Sequence, residues 1–232
     1  MVLISGSGSN LQAILDATHD GVIDAQVSAV ISNNQDAFGL QRAHRAGVDT
    51  HFIDPQRYAS RVEFDLALMQ CIDRYHPALV VLAGYLRILS KEFVDHYYGR
   101  LLNIHPSLLP KFPGLKTHQR VLENGDAEHG VTVHFVNAEL DAGPLIAQVR
   151  VPVRADDDAL SLAERVLEQE HRLYPLVIKW FIDRRLKLRE NTVLLDGVAL
   201  RSPVQLAPDS SKVTINGTSE TTDRTINHDK AE

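Results

Sequence analysis

An asparagine and a histidine stand two residues apart, at Asn103 and His105, around the end of the apolar run 101–104. If this run is a β-strand, alternation places both side chains on the same face. An amide N–H and an imidazole directed at one point can stabilise the oxyanion of a tetrahedral intermediate and handle its protons. The pair alone leaves another interpretation open, because an asparagine can satisfy loop backbone and a histidine can cap a turn.

Asp141 is the third candidate catalytic residue, and it lies in the loop 139–143 between two predicted strands. Loop aspartates commonly hold turns. If the fold brings Asp141 to His105, the carboxylate can instead orient the imidazole and keep it charged. We therefore predict a catalytic group of Asn103, His105 and Asp141 that depends on this contact.

The glycine-rich segment 6–10 precedes a helical pattern and is typical of an anion site, since first-turn amides and the helix dipole attract negative charge. A dinucleotide fingerprint fits poorly, because Leu11 occupies the third small-residue position and 32–34 offers no acidic residue for a ribose. A purely structural tight turn remains open. A monophosphate site is the interpretation that we favour.

Other catalytic chemistries find little support in the sequence. Ser107 lacks the G-x-S-x-G elbow of a serine hydrolase and is predicted to be structural. The eleven histidines show no metal-ligand spacing, so we expect no metal, and only His118 and His134 are placed near a cleft. Cys71 falls near an apolar helical stripe and is predicted to be an inert buried thiol.

Strands alternate with helices over the first half of the chain, which predicts an open, mostly parallel α/β sheet that binds ligands at the carboxyl ends of its strands. Predicted strands are 2–5, 26–31, 50–53, 78–83 and 101–104, and the predicted helix caps are Asp36, Ser60 with Glu63, and Ser90. The second half predicts an antiparallel extension from 131–136 and 145–153, and a long helix over 158–185. A hairpin is predicted at Asp196-Gly197.

Composition bounds the class of protein. With 44% apolar and 23% charged residues the chain resembles an ordinary globular protein, and a net charge of −6 argues against a nucleic-acid partner. We see no signal peptide or membrane-length apolar run, and the single cysteine suits a reducing compartment, so we expect a cytoplasmic protein without membrane contact. The expected organisation is one domain over 1–207 and a polar, disordered tail over 208–232.

Several segments together resemble the folate-dependent formyltransferases of the glycinamide ribonucleotide type. They follow the order of that family and comprise residues 2–13, 80–89, 101–114, 130–136 with 140–143, and 169–171 with 174–175. The resemblance implies a Rossmann-like formyltransferase fold. It also implies that 10-formyltetrahydrofolate, as co-substrate, donates its formyl group to the amine of glycinamide ribonucleotide in purine synthesis.

The same resemblance assigns binding residues. The substrate phosphate and ribonucleotide would be held by Gly8, Ser9, Asn10, Pro106 and Glu170. The folate site would be lined by Arg61, Leu86, Arg87, Ile88, Leu89, Asn103, Leu140 and Asp141. An apolar slot with backbone amides suits a flat heterocycle. The expected partners are these two small molecules, and the protein is expected to be a monomer or homodimer.

Three alternatives remain open at this stage. Methionyl-tRNA formyltransferase shares the Asn-x-His-Pro-Ser-Leu-Leu-Pro pattern but carries a basic C-terminal domain, and formyltetrahydrofolate hydrolase shares it with an N-terminal regulatory domain. We expect neither additional domain here. A non-catalytic phosphate-binding module predicts the glycine loop without convergence of Asn103, His105 and Asp141.

Overall fold

The computed structural model of the chain describes residues 1–208, 213–215 and 218–220. The strands are β1 (Val2–Ile4), β2 (Ala29–Ser32), β3 (Asp49–Phe52), β4 (Val80–Leu82), β5 (Leu101–His105), β6 (Glu128–Phe135), β7 (Leu145–Pro152), β8 (Leu186–Arg189), β9 (Thr192–Leu195), β10 (Val198–Ala199), β11 (Val204–Leu206), β12 (Val213–Ile215) and β13 (Thr218–Glu220). The helices are α1 (Ser9–His19), α2 (Phe38–Arg45), α3 (Arg61–Asp73), α4 (Lys91–His96), α5 (Thr117–Asn124) and α6 (Ala159–Ile182), with a short 3-10 turn at Pro55–Arg57.

The main sheet has the strand order β13-β12-β11-β7-β6-β5-β4-β1-β2-β3. Strands β3, β2, β1, β4 and β5 run parallel to one another, which confirms the open parallel sheet predicted from the strand–helix alternation. Strand β1 is buried on both faces, with Val2 and Ile4 in one core layer and Leu3 in the other. A strand that is covered on both sides needs a continuous apolar run, as the sequence has here.

The second half of the chain forms the predicted antiparallel extension. Strand β6 pairs antiparallel with both β5 and β7, so His134 lies directly opposite Asn103. The long helix α6 packs over the sheet, where the Tyr174 hydroxyl lies 2.9 and 3.0 Å from the carbonyl oxygens of Leu82 and Leu102. This contact fixes α6 against the last residue of β4 and the first half of β5, so the helix passes close to the strand ends where a ligand site is expected.

A separate three-stranded sheet follows α6 and contains the predicted hairpin, with β9 and β10 joined through Asp196-Gly197. Two neighbouring elements were not predicted from the sequence. Strand β8 pairs with β9, and β11 returns to the main sheet to lie parallel to β7. Strand β8 has four residues and β11 has three, which is too short for alternation to mark either strand. The pairing of β11 with β7 also joins residues far apart in the chain.

The helix caps were predicted with partial success. Ser60 and Ser90 accept the N–H groups of Glu63 and Phe93 as predicted. The capping box at Ser60 is wrong in one detail, because the Glu63 carboxylate accepts from the N–H of Ala59 rather than from Ser60. The Asp36 cap is also wrong: α2 starts after Ala37, which provides no side-chain cap.

The predicted tail over 208–232 falls largely outside the described residues. Within it the structure describes the strands β12 and β13, which pair antiparallel with each other beside β11. The division into a domain at 1–207 and a tail therefore stays a prediction. Among the described residues, no helix has the length and apolarity needed to cross a membrane.

Candidate active site

The three predicted catalytic side chains converge at the carboxyl end of β5. His105 Nδ1 lies 3.5 Å from Asp141 Oδ2, and both side chains are largely buried. Asn103 Nδ2 lies 3.4 Å from Asp141 Oδ1, so one carboxylate faces both other residues. This geometry differs from that expected of a glycine-loop binding module, in which the three residues would have no reason to meet.

The loop that carries Asp141 is held against the sheet by backbone requirements. Asp141 adopts a left-handed conformation with φ 51°, and its Oδ2 accepts the N–H of Gly114 at 2.8 Å. A side chain at Gly143 would place its Cβ 1.8 Å from the carbonyl oxygen of Phe135, so only glycine allows this close approach. The carboxylate is thereby fixed between two loops rather than left to swing in solvent.

The amide of Asn103 is oriented by its cross-strand neighbour. His134 Nδ1 donates to the Phe135 carbonyl at 2.8 Å, so its Nε2 is left as an acceptor for Asn103 Nδ2 at 3.1 Å. Burial lowers the pKa of His134, which keeps this ring neutral. One amide N–H of Asn103 is therefore directed at His134 and the other at Asp141. The sequence predicts His134 near a cleft but not this orienting role.

Both ring nitrogens of His105 face oxygen atoms that accept hydrogen bonds. His105 Nε2 lies 2.9 Å from the Phe112 carbonyl, which can only accept a hydrogen bond. Its Nδ1 faces the Asp141 carboxylate, which is also an acceptor. Nε2 therefore carries an N–H that donates to the Phe112 carbonyl, and Nδ1 is the ring nitrogen directed at Asp141.

The predicted phosphate loop forms a glycine turn that opens α1. Gly8 is the N-cap residue with φ 70°, and its Cβ, if present, would lie 2.6 Å from the Cα of Gly39. The first helical turn leaves N–H groups without carbonyl partners, which together with the dipole suits an anion. Arg42, which the sequence reading missed, donates to the Ser7 carbonyl at 2.9 Å and adds a cation beside the turn.

Asn10 and Glu170 connect this loop to α6 inside the cleft. Asn10 Nδ2 donates to Glu170 Oε2 at 2.6 Å, although the residues are far apart in sequence. Burial raises the pKa of Glu170 to about 7, and the bond from Asn10 offsets part of that rise. Asn10 Oδ1 is buried without a partner among the described residues, so the pair offers a polar edge that a substrate can use.

These groups share one cleft of about 580 Å³ at the carboxyl ends of the strands. Its lining includes most of the predicted site residues, namely Asn10, Leu86, Arg87, Ile88, Asn103, His105, Pro106, Leu140, Asp141 and Glu170. A narrower cavity adjoins it between the segment 87–89 and the Asp141 loop. Gly8 and Ser9 lie at the start of α1, immediately before Asn10.

The predicted folate site, formed by the strip 86–89 together with Leu140, presents an apolar surface that is open to solvent. Leu86, Ile88 and Leu140 all line the cleft yet are exposed, as expected of a surface that a flat ligand covers. Leu89 lines the narrower cavity. Arg61 is exposed at the start of α3 and is not among the residues that line either cavity, so its assignment rests on the resemblance alone.

The segment 114–118 also lines the cleft, where the sequence had placed only His118 near a cleft and had assigned no role to residues 115–117. It contains Thr117, whose hydroxyl is buried without a partner among the described residues, and His118, whose Nδ1 lies 3.0 Å from His129 Nε2. The helix α5 that begins here ends at Gly125 in the left-handed conformation. That Asn-Gly pair is a helix-end signal from which α5 could have been predicted.

The structure also shows the surroundings of Ser107 and Cys71, neither of which the sequence favours as a reactive group. The Ser107 hydroxyl is buried and donates to the Lys111 carbonyl at 2.7 Å, so it is not presented as a nucleophile. Cys71 is a buried free thiol whose pKa is raised by burial. No group of three or more histidine, cysteine, aspartate or glutamate residues with metal-binding geometry was found in the described part of the chain.

Comparison with known proteins shows the family of the chain. The profile of the formyl transferase family matches residues 1–178. The chain is 58% identical over 200 residues to the phosphoribosylglycinamide formyltransferase of Escherichia coli strain K12, covering 86% of this chain and 94% of that protein. It is 45% identical over 190 residues to the trifunctional purine biosynthetic protein adenosine-3 of Homo sapiens, covering 82% of this chain and 19% of that larger protein.

A solved structure shows the same architecture. The phosphoribosylglycinamide formyltransferase of Coxiella burnetii superimposes with a TM-score of 0.83 at 51% sequence identity, covering 86% of this chain and 93% of that one.

Proposed function

The chain belongs to the formyl transferase family, and from that premise we propose that it transfers the formyl group of 10-formyltetrahydrofolate to the amine of glycinamide ribonucleotide. The contact between Asp141 and His105 carries the proposal, since it joins the two groups that must handle charge and protons in such a transfer. The names and high identity of the relatives support the acceptor. The reaction forms a new N–C bond to the substrate amine and breaks the bond between the formyl carbon and folate N10.

Asn103 and His105 stabilise the tetrahedral intermediate in the proposed mechanism. The substrate amine attacks the formyl carbon, and the developing oxyanion accepts hydrogen bonds from Asn103 Nδ2 and from the imidazolium. In the structure the Asn103 to Asp141 and His105 to Asp141 separations of 3.4 and 3.5 Å are at the long limit of a hydrogen bond. These N–H groups are therefore loosely held and can turn to the oxyanion.

Asp141 keeps the imidazole charged and manages the transferred proton. The attacking amine must lose a proton, and the departing folate nitrogen must gain one. A carboxylate that faces the cleft and the His105 ring can accept the first proton and return it to folate N10, directly or through water. The net change is one formamide and one tetrahydrofolate, with no proton gained or lost overall.

The ribonucleotide occupies the side of the cleft formed by α1 and α6 in this proposal. The phosphate sits at Gly8, Ser9 and Asn10, where helix amides favour an anion. Glu170 accepts hydroxyl groups of the ribose, and Pro106 packs along the same substrate. Because Tyr174 anchors α6 one turn further on, Glu170 is held at the cleft on the same helical face.

The folate occupies the side formed by the strip 86–89 and the Asp141 loop. Leu86, Ile88 and Leu140 cover the flat rings, and the narrower cavity next to Leu89 receives the pterin. Arg61 and Arg87 provide positive charge on this side for the acidic end of the co-substrate. This mechanism requires no metal, because the Asn103 amide N–H and the His105 imidazolium stabilise the negative charge of the oxyanion.

We further propose that the protein acts in the cytoplasm as a monomer or homodimer, without a nucleic-acid or membrane partner. The net charge of −6 supports a small-molecule enzyme over a nucleic-acid-binding one.

The test is an initial-rate assay of tetrahydrofolate release with wild-type protein and with Asn103→Ala. Release that requires glycinamide ribonucleotide and is lost in the variant supports the proposal. Release at the same rate without the amine would identify a hydrolase, and no release at all would identify a binding module.

A further inference from the structure

Asp65 is a buried carboxylate that none of the steps above uses. It lies on α3 and is 1% exposed. Burial raises its pKa, and hydrogen bonds from the backbone and side chain of Ser90 only partly offset this. A buried carboxylate costs folding free energy, so its partners show what it is holding in place.

The carboxylate fixes Ser90, the residue that joins two elements. The Ser90 N–H donates to Asp65 Oδ2 at 2.5 Å. The Ser90 hydroxyl also accepts the N–H of Phe93 at 3.3 Å and so caps α4. Ser90 is thereby attached to α3 on one side and to α4 on the other.

The segment that ends at Ser90 is the strip 86–89, which lines the cleft. This strip has no helix or strand of its own, so its shape depends on how its two ends are anchored. At the first end the N–H of Leu86 donates to Ser5 Oγ at 2.8 Å. At the second end Asp65 holds Ser90. Between the two ends, the Arg87 guanidinium stacks on the ring of Phe64, the residue before Asp65 in α3, at 4.6 Å from the ring centroid.

We propose that Asp65 is a positioning residue for the formyl donor, which holds Ser90 so that the strip 86–89 keeps the shape that contacts folate. The inference rests on the proposed function, because it assigns the strip to the folate side of the cleft. It predicts a selective effect. Asp65 lies behind the folate surface and does not line the part of the cleft formed by Asn10 and Glu170.

The experiment measures the Kd of tetrahydrofolate and of glycinamide ribonucleotide by titration calorimetry on the full chain. Asp65→Ala is expected to raise the Kd of tetrahydrofolate about tenfold or more, the scale of a lost hydrogen bond to a charged group. The Kd of glycinamide ribonucleotide should stay within about twofold, since its contacts lie on α1 and α6. Asp65→Asn keeps an acceptor oxygen for the Ser90 N–H and should restore most of the affinity.

Two further variants separate positioning from general stability. Ser60→Ala removes the cap of the same helix without touching Ser90, so it should lower the Tm and leave both Kd values unchanged. Ser90→Ala keeps the backbone N–H that donates to Asp65 and removes only the hydroxyl, which also bonds Asp65. Even if Asp65→Ala does not fold, this variant should raise the Kd of tetrahydrofolate, by less than the loss of Asp65 would, and leave the Kd of glycinamide ribonucleotide unchanged.

The inference is overturned if folding-competent Asp65→Ala binds tetrahydrofolate like the wild type, if both ligands weaken in parallel, or if Ser60→Ala gives the same shift. Wild-type protein that binds no tetrahydrofolate overturns the proposed function itself, and the inference with it. Unchanged binding in Asp65→Ala overturns only the inference.

Discussion

Asp141 Oδ2 lies 3.5 Å from His105 Nδ1, while the same oxygen accepts the N–H of Gly114. One carboxylate therefore joins the end of β5, the loop after it and the loop between β6 and β7. The contact brings residues from the two halves of the chain into one site and places a carboxylate beside the buried His105 ring.

Replacing Asp141 by asparagine is expected to lower kcat about a hundredfold or more, the scale of losing one preorganised electrostatic contact. The amide oxygen can still accept from Gly114, so the loop and the KM for both substrates should change little. Steady-state kinetics and a thermal melt of the same preparation measure this. A variant with near-normal kcat would show that the Asp141 charge is not needed.

Asn103→Ala is expected to reduce kcat by about a hundredfold or more by removing an oxyanion donor. The matched variant His134→Gln leaves an acceptor beside the Asn103 amide and should have a smaller effect, because His134 only orients the donor. Single-turnover kinetics with saturating substrates distinguish chemistry from release. Equal losses in both variants would contradict the assignment of the donor to Asn103.

Glu170→Gln should change how stability depends on pH. The folded pKa of about 7 lies above the ordinary value of 4.5, so folding favours the protonated form and stability falls as pH rises between these values. The Glu170→Gln variant does not lose this stability. Its free energy of unfolding, relative to that of the wild type, should therefore increase by roughly 3 kcal/mol between these two pH values and then stay level. Urea unfolding at several pH values measures the difference, and a pH-independent difference would contradict it.

Gly8→Ala is expected to raise the KM for glycinamide ribonucleotide about tenfold or more, because a left-handed alanine costs about 1–2 kcal/mol and distorts the anion site. Its Cβ would also collide with Gly39. Gly6→Ala is the matched control, since a Cβ there meets nothing within 4 Å. If both variants raise this KM equally, the close approach of Gly8 is not what shapes the phosphate site.

Much of the catalytic arrangement could be predicted from local pattern. The alternation of β5 places Asn103 and His105 on one face, and the glycine turn before α1 is visible in the sequence. The Ser60 and Ser90 caps also follow from side chains that bond only a few residues away. Signals of this kind need no knowledge of distant contacts.

The parts that could not be predicted depend on tertiary pairing. His134 orients Asn103 only because β6 pairs antiparallel with β5 in a particular register. The hydrogen bond between Asn10 and Glu170 requires α6 to cross the sheet, and β11 must return from the small sheet to reach β7. No local propensity specifies these pairings.

The central claim is formyl transfer to an amine, and the most direct measurement follows the formyl carbon itself. Wild-type protein is incubated with 10-formyltetrahydrofolate labelled with ¹³C in the formyl group, with and without glycinamide ribonucleotide, and the products are observed by NMR. The account predicts a ¹³C formamide on the ribonucleotide only when enzyme and amine are both present, and its loss in Asn103→Ala. Label that appears as free formate regardless of the amine, or that stays on folate, would contradict the account.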